Sequence, residues 1–274
     1  ISLNELDNLV REFLITIDPS LKWLKIYEQL KEENIIIYSE SKLEDKIAWE
    51  CKNIDGNWYI NAPLTGTIRD FKCMIHELVH YITLINDKDQ EQSLSLKEYP
   101  PILFEIISIE YLRKKGFSED LVEVLLEERE EWTRNNKFNV LPTLQYLKEF
   151  LTTGPITFKK IKQKEDALVK DIIDQIGNDF SKKNTYDKII LACDLQNSAI
   201  LIAPMSLHDE YPYIIGHYLS EKTLERLKEE PKLLYEVLDI TENLKDITPE
   251  EVITRLGLSA EEFNLKKKHQ YQKK

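Results

Sequence analysis

Phe71-Lys72-Cys73-Met74-Ile75-His76-Glu77-Leu78-Val79-His80-Tyr81-Ile82 is the stretch whose reading decides the fold. Phe71, Ile75, Leu78, Ile82 and Ile85 step by four and three, the period of a helix with one buried face. On such a helix His76 and His80 project from one side a turn apart, close enough to bind one metal ion together. Glu77 follows the first histidine and so lies beside that ion rather than on it, where a general base for a metal-bound water belongs. At this chain's His and Glu content, His-Glu-x-x-His arises by chance in about one chain in a hundred of this length. The plain alternative is an amphipathic helix with two solvated histidines; the apolar Leu78 and Val79 inside the motif weigh against it.

A catalytic zinc needs a third protein ligand and an open fourth position. The next apolar run, Ile102-Leu103-Phe104-Glu105-Ile106-Ile107-Ser108, carries one carboxylate, Glu105. Burying an unpaired charge is costly, and metal ligation gives Glu105 a partner. A salt bridge to Arg113 or Lys114 on the outer face is the other explanation. Glu110, five residues on and on a different face, is the competing ligand. Cys73, three residues before His76, could face the metal, although a small buried helix residue is the simpler reading.

Working outward, Leu6, Leu9, Val10, Phe13 and Leu14 form one helical stripe and Leu21, Leu24, Tyr27 and Leu30 another, with Asp18-Pro19-Ser20 as the break. Residues 35–38, 46–51 and 58–61 read as strands. The last two flank Asn53-Ile54-Asp55-Gly56-Asn57, a hairpin turn because Asp-Gly tolerates positive φ. Pro63 ends the last strand, and Thr67 with Asp70 three on resembles a capping box opening the metal helix. The 58–61 strand is the nearest edge along which a peptide could add as an extra strand. Residues 86–97 are polar and read as a loop, and Pro100-Pro101 opens a helix.

After Gly116 the spacing is helical, near 118–136, 141–152 and 156–176; Glu127 to Glu131 reads as a solvated face. Residues 186–206 read as buried core helices. A second chemically rich stretch, His208-Asp209-Glu210-Tyr211-Pro212-Tyr213-Ile214-Ile215-Gly216-His217-Tyr218, follows. A helical pair at 249–256 and 259–263 precedes a basic, frayed tail. The expected class is mainly α with a small antiparallel β-sheet (α+β), in one domain over 1–274. Within it the N-terminal helices occupy 1–33, the sheet and metal-site helices 34–115, a helical subdomain 116–265 and the tail 266–274.

Composition narrows the chemistry. The chain has 274 residues, 7 glycines and no Gly-rich phosphate loop, which argues against a nucleotide-binding enzyme. The net charge of −12 argues against nucleic acid or an anionic membrane as partner. No run of about 18 apolar residues is present, so no membrane span is expected. Three irregularly spaced cysteines, Cys51, Cys73 and Cys193, suggest reduced thiols and a cytoplasmic setting. The start lacks the basic and apolar regions of a signal peptide; it also lacks an initiator Met, which leaves room for an upstream segment.

Several segments together resemble the oligoendopeptidase F and thimet oligopeptidase family of zinc peptidases. Tyr59-Ile60-Asn61 and Thr65-Gly66-Thr67-Ile68-Arg69-Asp70 are similar to that family's lead-in to the metal helix. His76-Glu77-Leu78-Val79-His80 follows, with Val79 where the family often has Gly. Glu105-Ile106-Ile107-Ser108 resembles its Glu-Val-Ala-Ser segment, Tyr211-Pro212-Tyr213-Ile214-Ile215-Gly216 its late tyrosine segment, and residues 249–258 its C-terminal signature. The matches run in the family's order over roughly residues 45–260. Family members are longer, with an N-terminal helical lobe over the cleft, so this chain would be a minimal, catalytic-half version. The family's Gly-rich segment before the late tyrosines is not recognisable here.

The resemblance implies a zincin-like (gluzincin) catalytic domain with one zinc per chain, held by His76, His80 and Glu105. The expected activity is hydrolysis of oligopeptides. Zinc would lower the pKa of a bound water and polarise the scissile carbonyl, Glu77 would move the proton to the leaving amine, and Tyr213 would donate to the oxyanion, with help from His208 or His217. Tyr218 and Tyr211 are the alternates to Tyr213. Two other readings stand beside this one: a protease for one protein target, and a regulatory or peptide-binding protein on a metallopeptidase-like fold.

Overall fold

The computed structural model describes residues 1–41, 49–85, 96–131 and 211–258. It is mainly helical with a small three-stranded mixed sheet. No helix among the described residues is long and apolar enough to cross a membrane.

Helix α1 (Leu3–Ile17) opens on a capping box in which Ser2 and Glu5 satisfy each other's backbone N–H, and it buries Leu6, Val10, Phe13, Leu14 and Ile17. Helix α2 (Lys22–Glu32) follows a break at Asp18, whose carboxylate accepts the N–H groups of Ser20 and Trp23. Three strands come next: β1 (Ile36–Glu40), β2 (Glu50–Ile54) and β3 (Asn57–Leu64). The turn between β2 and β3 places Asp55 at φ 51° and Gly56 at φ 87°. Two consecutive positive φ values are what a two-residue hairpin turn of matching twist requires.

The sheet is not antiparallel throughout. Its order is β1-β3-β2, with β3 antiparallel to β2 and parallel to β1. The hairpin folds β3 into the middle, because β3 is the strand that buries residues along its length, Ile60, Ala62 and Pro63 among them. Residues 58–61 are therefore no edge. Pro63 does not end the strand either: it pairs with Ser39 inside the β1–β3 ladder. Ile60 donates its N–H to Ile35 O, so by alternation the nitrogen of Pro63 faces away from β1, beyond the last β2 pair at Asn61. Its missing N–H therefore removes no bond of the β1–β3 ladder. The same alternation turns the main-chain groups of Glu50, Lys52 and Ile54 towards β3 and those of Cys51 and Asn53 outward. Among the described residues β2 has no second partner strand.

Helix α3 (Arg69–Leu84) carries the His-Glu-x-x-His motif. It starts without a side-chain cap. Asp70, expected to close a capping box with Thr67, instead reaches back to accept the N–H groups of Thr65 and Gly66, tying the end of β3 to the helix. Helix α4 (Tyr99–Lys114) packs along α3. Helix α5 runs from 119 through 131. Helix α6 (Tyr211–Glu229), helix α7 (Leu233–Glu242), a 3₁₀ turn (Leu244–Asp246) and helix α8 (Pro249–Arg255) complete the described elements. The rings of Phe13 and Phe71 meet edge-on at 5.8 Å, fastening α1 to α3. Trp23 lies 4.8 Å from Phe104, fastening α2 to α4.

The chain divides into two compact units, residues 1–129 with 215–274, and residues 130–214. The division falls inside the stretch expected as one helical subdomain at 116–265. The metal-motif helix, the sheet and the main core belong to the first unit. Of the second, only 130–131 and 211–214 are among the described residues. The expected helices at 141–152 and 156–176, the apolar stretch at 186–206, the helix at 259–263 and the tail lie outside the described residues.

Candidate metal centre

His76 and His80 come together as their spacing requires. Their Nε2 atoms are 3.2 Å apart and their rings meet near edge-on. A carboxylate completes the group, and it is Glu98. Its Oε2 stands 3.3 Å from His80 Nε2 and 3.6 Å from His76 Nε2. Among the described residues these three form the one group of His, Cys, Asp or Glu able to hold a metal ion. The spacing suits zinc: donors about 2.0–2.1 Å from a tetrahedral ion stand about 3.3 Å from one another. Glu98 Oε2 is also buried without a hydrogen bond of ordinary geometry, a polar atom that calls for a partner.

The local sequence explains why this carboxylate is available. Glu98 is the N-cap of α4, with no side-chain cap bond, and Tyr99, Pro100 and Pro101 are the first three helical residues. An N-cap side chain ordinarily accepts the N–H of the second or third helical residue. Here both are prolines and have none. The Glu98 carboxylate has no local donor to turn to and faces the imidazoles instead. Glu-Tyr-Pro-Pro was the legible signal: a potential cap residue followed by two prolines where its partners should be.

Glu105 lies on the other side of His76. Its Oε2 accepts from His76 Nδ1 at 3.0 Å, which keeps a proton on Nδ1 and turns Nε2 towards His80 and Glu98. Lys72 Nζ is 3.5 Å from Glu105 Oε1 and 3.4 Å from Glu128 Oε2, and Arg129 Nη1 is 3.7 Å from Glu105 Oε2. The structure thus places Glu105, expected as third ligand, behind the histidine, where it orients the ring. The outer-face ion pairs proposed for it belong to Glu110, which joins Glu119 and Glu123 around Arg113.

Both carboxylates sit well below the usual range. Burial pushes each upward, but the His80 and His76 charges outweigh it at Glu98, and Arg129, His76 and Lys72 outweigh it at Glu105. Burial alone would lower His76, yet its bonds to Glu105 and Glu98 raise it to about 10.

Glu77 is buried on α3 beside this group without joining it. Its charge bears on His76, on Cys73 and, across to β2, on Cys51. Its charge thus reaches both the metal group and β2. Burial pushes the Cys73 thiol up to about 12, which leaves it protonated and a poor metal donor. Tyr213 stands half-buried in the first turn of α6, within the second unit. Tyr218 is half-buried on α6, and His217 there is buried with Nε2 3.1 Å from Glu221 Oε1. Tyr211 opens the same helix, and His208 lies outside the described residues. Comparison with family models, with curated proteins and with solved structures gives no match to this chain.

Proposed function

We propose that this protein is a zinc peptidase acting on oligopeptides, with one zinc held by His76, His80 and Glu98. The observation that carries the reading is the mutual spacing of the three donor atoms, 3.2, 3.3 and 3.6 Å, about a buried carboxylate oxygen that has no hydrogen bond of ordinary geometry. The resemblance to the oligoendopeptidase F and thimet oligopeptidase family points to the same chemistry.

Zinc bound there would supply a Lewis acid for the scissile carbonyl and a more acidic water. The chain's own residues do the rest. Glu105 keeps His76 in the tautomer and orientation that present Nε2. Glu77 takes the proton of the attacking water and delivers it to the leaving amine. The outward main-chain groups of Cys51 and Asn53 on β2, the strand on which the Glu77 charge bears, offer a peptide backbone an edge to pair with. Tyr213 and His208 are assigned as oxyanion donors by the resemblance alone.

The test is cleavage of a quenched-fluorescent peptide mixture by zinc-loaded protein beside its Glu77→Gln variant. The expected result is a fall in kcat of about 10²–10⁴-fold with zinc content unchanged, the usual worth of a general base. Equal cleavage by the two proteins would remove Glu77 from the chemistry. A wild type that binds zinc but cuts nothing would favour the peptide-binding reading.

A further inference from the structure

The carboxylate of Glu98 needs its backbone held, and local capping does not hold it. Its side chain makes no cap bond, and the two prolines of α4's first turn bring no N–H to the end of the helix. What meets that end is α6. At Gly216 a Cβ would lie 2.8 Å from the Glu98 carbonyl carbon, 2.9 Å from its oxygen and 2.9 Å from Tyr99 N. All three are backbone atoms, which cannot swing aside as the tip of a side chain can. The φ of Gly216 is not positive, so the glycine is there for the approach and not for its torsion. Inside a helix it gives up about 1 kcal/mol against alanine, and the close contact is the physical reason to have it.

The same face of α6 grips Tyr99, the residue after Glu98. Ser220 Oγ, one turn on, lies 3.2 Å from Tyr99 O, sharing its proton with Gly216 O at 2.7 Å. Thr223 gives its proton to Leu219 O, so the Tyr99 hydroxyl donates to Thr223 Oγ1 at 3.0 Å. Ser220 and Thr223 are both fully buried.

We infer that Gly216, seconded by Ser220 and Thr223, seats the N-terminus of α4 and thereby sets where the Glu98 carboxylate stands against His76 and His80. Gly216 is a positioning residue of the metal centre. This rests on the zinc reading above, and it adds that α6, remote in sequence from the metal motif, controls metal affinity.

The experiment is competition for zinc between the protein and a chromophoric chelator, reported per folded molecule by circular dichroism. Gly216→Ala should weaken zinc binding at least about ten-fold, the low end of what groups supporting a metal ligand carry. Ser220→Ala with Thr223→Val, which loosens the same seat without steric pressure, should weaken it several-fold and serves if Gly216→Ala does not fold. Val252→Ala, a buried truncation on α8, should leave affinity unchanged while lowering stability. Wild-type affinity in both seat variants would overturn the inference and leave the zinc reading standing. Equal losses in Val252→Ala would also overturn it, by reducing the effect to general stability. A wild type that holds no zinc would overturn the zinc reading itself, and the inference with it.

Discussion

His76 has two ring nitrogens and two different neighbourhoods. On the Nε2 side stand His80 and Glu98, and Glu98 has no lysine or arginine partner among the described residues. On the Nδ1 side stands Glu105, held between Lys72 and Arg129. Both carboxylates are buried, at 4% and 6% exposure, so burial does not tell them apart. Their partners do. A carboxylate already compensated by two cations has little left to give a metal, and it serves instead as an acceptor that fixes a histidine. A carboxylate whose oxygen lacks a hydrogen bond of ordinary geometry and faces two imidazole nitrogens is the better placed of the two to ligate a metal.

The largest effect that could break this contrast is on the metal-free fold. Glu105→Gln leaves Lys72 and Arg129 buried without their shared carboxylate, and breaking such a pairing costs about 3–5 kcal/mol. Lys72 keeps Glu128, so the lower end is expected. Glu98→Gln should cost much less, because no lysine or arginine among the described residues is left without its partner. Urea unfolding of both variants in chelator measures the difference, and the reverse ranking would mean that the two sides have been assigned the wrong way round.

A smaller effect sharpens it. The folded-state pKa of His76 is raised to about 10 from an ordinary 6.5. Its contribution to metal-free stability is thus fully present below about pH 6.5 and lost as pH rises through about 10. Glu98 and Glu105 are shifted downward, so theirs is present above the ordinary carboxylate range and lost in acid. The melting temperature of chelated protein should therefore fall between pH 7 and 10. The fall should shrink more in Glu105→Gln than in Glu98→Gln, since Glu105 is the larger source of the His76 shift. A flat alkaline profile in the wild type would contradict the ion pair.

The same contrast marks what the sequence could and could not tell. Helices α1 and α2, the Asp-Gly hairpin and the metal-motif helix each follow from spacing or turn chemistry within a few residues, and all are legible. The place of β3 in the sheet was not, because pairing order depends on which strand ends up covered on both sides. The choice between Glu98 and Glu105 was hidden for a related reason. An apolar run marks a buried carboxylate but not its partners, and Lys72 and Arg129 reach Glu105 from two other helices. Glu98 lay just outside that run, in a polar approach, and only the missing N–H groups of Pro100 and Pro101 pointed to it. The resemblance to known zinc peptidases also led to Glu105, through a four-residue segment that fixes order along the chain and not distance in space.

The most direct measurement is the zinc content and affinity of wild type, Glu98→Gln and Glu105→Gln, by elemental analysis and chelator competition. The expected result is one zinc per wild-type chain, an affinity loss above about 100-fold in Glu98→Gln, and a smaller loss of about 10–100-fold in Glu105→Gln, as befits a group that orients a ligand. Zinc retained at wild-type affinity by Glu98→Gln and abolished in Glu105→Gln would contradict the account and return the third ligand to Glu105.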